Sequence, residues 1–130
     1  MKPKKTIPKK TYLKFIKLFS ELMNSLGASQ EEYNQKHKAP YWSTWFLNTK
    51  YGKLEISILN NPLKNQTYYS IYCKFQEYSR ELAIETGITE YCYKWNHCFS
   101  YWEYPYDKTT PEEVIEEMNH RFTRLFPNHN

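Results

Sequence analysis

Glycine is scarce: the 130 residues hold only Gly27, Gly52 and Gly87. That is too few, and too scattered, for a phosphate-cradling loop. Neither a G-x-S-x-G elbow nor an H-E-x-x-H pair occurs, so two common routes to hydrolysis are missing. No apolar run approaches the ~20 residues a membrane helix requires. The lysine-rich start is not followed by the apolar stretch and small-residue cleavage site of a signal peptide. A cytoplasmic protein is therefore expected. Cysteine is also sparse, and Cys73, Cys92 and Cys98 contain no C-x-x-C pair. An odd set would leave one thiol over in an oxidised framework, so reduced, buried cysteines are the expectation.

Aromatic residues are abundant, at 18% of the chain, and thirteen of them are tyrosines. A core built partly from phenols must find partners for their hydroxyls. Charge is unevenly spread. Residues 1–17 carry seven lysines and no acid, which leaves −3 for the rest of a chain whose net charge is +4. At this length one domain with one core is expected: a basic flexible arm over 1–10, then a single domain over 11–127.

Tyr12, Phe15, Ile16, Phe19, Leu22, Met23 and Leu26 recur every three or four residues from about Thr11, predicting a helix that Gly27 stops. Ser29 and Glu32 have capping-box spacing for a short second helix over about 30–36. Residues 41–48 and 53–59 read as strands joined through a turn at Gly52, with Leu54, Ile56 and Ile58 on one face. The next strand, 67–76, places Tyr69, Ile71, Cys73 and Phe75 on one side and Tyr68, Ser70, Tyr72 and Lys74 on the other. A short helix over 79–86 precedes a strand over 93–102, in which Trp95, His97, Phe99 and Tyr101 read as the better core face. Thr110, Pro111 and Glu113 then start a last helix with the stripe Val114, Ile115, Met118, Phe122, Leu125 and Phe126. The expected fold is α+β, a four-stranded mainly antiparallel sheet with helices packed on one face, in the order α-α-β-β-β-α-β-α.

The residues suited to chemistry do not assemble by spacing. His97 and Cys98 are strand neighbours and point to opposite faces, so they make neither a dyad nor a metal pair. Glu117 and His120 form a single E-x-x-H, whereas di-iron bundles need two with further carboxylates. No catalytic residue, metal or cofactor is implied, and the chain reads as non-enzymatic.

Binding fits better. If helices cover one sheet face, the other presents Tyr68, Tyr72, Lys74 and Lys53, together with Trp102 from the last strand. Tyrosine and tryptophan are effective at protein contacts because they bury area at little entropic cost. The same rings also suit single-stranded nucleic acid, with Lys4, Lys5, Lys9 and Lys10 of the arm reaching phosphate. The acidic body favours a protein partner, since nucleic-acid modules carry a basic patch on the body itself. Cross-strand bracing is the plainest use for such rings.

The stretches FLNTKYGKLEISI, YSIYCKF, YKWNHCF and TPEEVIEEMNHRF resemble a small α+β domain of unknown function that recurs in bacterial phages, plasmids and integrative elements. The resemblance covers roughly residues 45–125. It implies an accessory protein of a mobile element, an anti-CRISPR or other anti-defence inhibitor whose partner is a host protein such as a defence nuclease.

Overall fold

The computed structural model describes residues 5–30, 42–50, 52–75, 91–93 and 97–126, with 75, 91–93 and 97–101 described by backbone alone. Helix α1 spans Lys9–Ser25 and buries Tyr12, Phe15, Phe19, Leu22 and Met23. It ends in a Schellman motif: the Gly27 N–H donates to the Asn24 carbonyl at 3.1 Å and the Ala28 N–H to the Met23 carbonyl at 2.9 Å. Gly27 takes the left-handed φ of +78° that this motif requires. The basic arm is held just before the helix. Ile7 is 3% exposed, and its N–H donates to the Gln66 carbonyl at 2.8 Å.

Among the described residues six strands follow, β1 (Ser29–Gln30), β2 (Trp42–Thr49), β3 (Gly52–Leu59), β4 (Tyr68–Phe75), β5 (Tyr91–Tyr93) and β6 (His97–Pro105), before helix α2 (Pro111–Thr123). They form one sheet in the order β1-β2-β3-β4-β6-β5, and each of its pairings is antiparallel. A tight turn joins β2 to β3, where Gly52 sits at φ +118° and the Thr49 hydroxyl donates to the Gly52 carbonyl at 2.7 Å. Helix α2 has every expected device at its start. Thr110 Oγ1 accepts from the Glu113 N–H at 3.2 Å, Glu113 Oε1 accepts from the Thr110 N–H at 3.0 Å, and Pro111 fills the first turn.

This architecture corrects the expected four strands and their order. Ser29 and Gln30 do not open a helix; they pair with Phe46 and Trp45 at the sheet edge. The Schellman motif turns the chain out extended at Ala28, so backbone pairing claims Ser29 before its hydroxyl can cap anything. Tyr91–Tyr93, expected to begin as a connection, pairs with β6 and sets Cys92 directly across from Cys98. The helices expected over 30–36 and 79–86 otherwise lie outside the described residues.

The second correction concerns β6. Ile71 pairs with Trp102 and Tyr72 with Tyr101, and opposed residues in an antiparallel pair share a face. Trp102 and Tyr104, opposite Ile71 and Tyr69, therefore belong to the core side, one step out of phase with the expectation. Trp102 is 6% exposed and lies edge-on to Phe122 of α2, ring centroids 6.4 Å apart.

Both helices lie on one face of the sheet. Phe15 sits 4.8 Å from Tyr69 and Phe19 5.6 Å from Trp45, centroid to centroid. Leu54, Ile56, Ile58 and Ile71 form the fully buried floor beneath them. Tyr12 ties α1 to the end of β3, its hydroxyl donating to the Leu59 carbonyl at 2.9 Å. Burial raises the phenol pKa of Tyr12, Tyr69 and Tyr104, that of Tyr69 to about 12, because an anion there would lose its water. The Cys73 thiol is raised for the same reason, which keeps it protonated.

Candidate docking face

The face away from α1 and α2 is built by the alternate residues of the central strands. Pairing places Thr44 against Ser57, Phe46 against Glu55, and Asn48 against Lys53. Glu55 in turn opposes Lys74, and Ser57 opposes Tyr72. The sequence supplies half-buried rings, hydroxyls and an ion pair here, where the other face has aliphatic residues with the buried rings Trp45, Tyr69 and Trp102.

Trp42 and Tyr72 meet edge to face, centroids 5.0 Å apart. Thr44 and Ser57 share a hydrogen bond of 2.9 Å. The Lys74 ammonium is 3.4 Å from the Glu55 carboxylate, both side chains partly open to solvent. Lys53 lies over the Phe46 ring at 5.5 Å, a cation–π contact. Among these groups is an open hollow of about 280 Å³, lined by Trp42, Glu55, Ser57, Tyr72, Cys73 and Lys74. Its wall is two half-buried rings, and its charges cancel.

Of the residues expected to bind a partner, Tyr68, Tyr72, Lys74 and Lys53 are on this face, and Tyr72 and Lys74 line the hollow. Trp102 is not; it belongs beneath α2, where the Arg121 guanidinium covers its ring at 5.0 Å. Lys5, Lys9 and Lys10 are exposed at the start of α1, on the helical side, while Lys4 lies outside the described residues. Trp42 was not singled out from the sequence, although it lines the hollow. Its signal was available: once β2 and β3 are paired through the Gly52 turn, Trp42 alternates in step with Thr44 and Phe46.

The described residues hold no cluster of three or more His, Cys, Asp or Glu side chains able to bind a metal. Among them, no helix is long and apolar enough to cross a membrane. No protein-family model matches the chain, and neither does any curated protein or solved structure.

Proposed function

We propose that the protein is a non-enzymatic module that docks a partner protein on the open face of its sheet. The observation that carries this is the hollow rimmed by Trp42 and Tyr72 on the face opposite α1 and α2. A partner side chain entering it would meet ring surface, with the Lys74–Glu55 pair able to fix orientation at the edge. Ring-lined, charge-neutral depressions of this kind suit protein hot spots. The resemblance to mobile-element domains extends the reading to an inhibitor of a host defence enzyme, working in the bacterial cytoplasm.

Single-stranded nucleic acid is the weaker alternative for this face. Base stacking needs rings beside cations free to meet phosphate, yet Lys74 is paired with Glu55 and Lys53 rests on Phe46. Lys9 and Lys10 belong to α1, across the sheet.

The test is capture from a bacterial lysate with the wild-type chain and with Tyr72→Ala and Lys74→Ala variants, before and after nuclease. The proposal expects one protein, recovered despite nuclease and lost with Tyr72→Ala. Recovery unchanged by both substitutions, or abolished by nuclease, contradicts it.

A further inference from the structure

The outer side of α1 is chemically unlike every other described surface. Lys9, Leu13 and Lys17 follow one another at four-residue spacing, in one row along the helix, with Lys10 beside them. All four are exposed, Leu13 to 45%. Lys14 alone is neutralised, by an ion pair to Glu112 of α2. Lys5, Lys9, Lys10 and Lys17 make no ion pair among the described residues, and the first acid in the chain is Glu21.

The start of the helix deepens this charge. Pro8 is the N-cap and offers no side-chain acceptor, and the first turn holds no acid. Lys9 and Lys10 stand there instead, adding positive charge where the helix dipole is already positive. Helix α2 does the reverse, with a capping box and with Glu112 and Glu113 in its first turn. The acids of α2 do not offset the lysine row. The groove between the helices is lined from α1 by Leu18, Glu21, Leu22 and Ser25; Glu21 stands four residues beyond Lys17 and closes the row at its far end, and Leu18 is about 140° round the helix from Leu13.

We infer that this row binds the phosphate backbone of duplex DNA without reading its sequence. Three properties select that ligand. The rings of α1, Tyr12, Phe15 and Phe19, are fully buried, so the row has nothing on which to stack the bases of a single strand. Its one exposed apolar side chain is Leu13, too little for an interfacial helix, which needs a whole apolar face to enter a membrane. Lys9 to Lys17 spans about 12 Å of helix axis, over which one strand of a duplex presents three to four phosphates, each ~3.4 Å further along. This surface is separate from the open sheet face and does not depend on it.

The experiment is fluorescence anisotropy of a labelled 20-base-pair duplex of arbitrary sequence with the full chain. Three phosphate contacts, one for each of Lys9, Lys10 and Lys17, should lower the association constant roughly 40-fold between 50 and 200 mM salt. The triple variant Lys9→Glu, Lys10→Glu, Lys17→Gln should abolish binding without lowering the melting temperature, since acids at positions 9 and 10 suit a helix start and glutamine at 17 suits a helix interior. Tyr72→Ala should leave duplex binding unchanged. The inference is overturned by no binding at 50 mM salt, by binding indifferent to salt or to the triple variant, or by tighter binding of a single strand. Binding to phosphatidylserine vesicles without binding to the duplex overturns it as well.

Discussion

Ile71 and Tyr72 are neighbours in β4 and do opposite work. Ile71 is fully buried beneath the helices, while Tyr72 is half-buried on the other side, against Trp42. The covered face holds the fold together through aliphatic and ring packing, with Tyr12 tethered to the Leu59 carbonyl. The open face holds itself together through short cross-strand contacts, each worth only a fraction of a kcal/mol to about 1 kcal/mol. Residues of the first face cannot change without loss of stability. Those of the second are free to be chosen for contact.

The sharpest way to break this contrast is to truncate both neighbours. Ile71→Ala should cost about 3 kcal/mol, the usual range for a buried isoleucine, and Tyr72→Ala about 1 kcal/mol; denaturant midpoints measure both. Equal losses would erase the distinction between the faces. High pH should act next, and through the covered side. Burial raises the Tyr69 pKa to about 12 in the folded chain, above its ordinary value of 10. The folded state therefore keeps a proton that the unfolded state gives up. Stability should be intact below pH 10 and fall as pH rises from 10 to 12, a decline that urea titrations at pH 9 and 11.5 would register. Tyr12→Phe removes the hydroxyl that donates to the Leu59 carbonyl, at a cost of about 1 kcal/mol by thermal melting. The smallest effect belongs to the open face: Lys74→Ala breaks a partly exposed pair with Glu55 and should change stability by less than about 1 kcal/mol.

How legible these faces were in the sequence depended on contrast between alternate positions. In β4 the two sets differ sharply, Tyr69, Ile71 and Cys73 against Tyr68, Ser70, Tyr72 and Lys74, and both fell where alternation put them. In β6 composition pointed the wrong way, because the ring-rich set Trp95, His97, Phe99 and Tyr101 read as the core face, so composition did not fix the phase. The pairing of Ile71 with Trp102 did, and with it Trp102 left the candidate site for the core. Strands of two and three residues, as β1 and β5 are, are too short to show a period. The start of α2 was readable because Thr110, Pro111 and Glu113 each have a local job. Helix α1 began two residues before its expected start because its first residues are lysines behind a proline, with none of the usual signals. The hollow was half visible: Tyr72 and Lys74 came from alternation in one strand, whereas Trp42 needed the register between two.

The proposed partner sits on the open face of the sheet. Lys53 is exposed on that face, and Glu116 is exposed on α2. A photo-crosslinking residue placed at position 53 should capture a protein partner from the bacterial lysate, and the same residue at position 116 should not. Capture from position 116 alone would put the partner on the helical side and contradict the account.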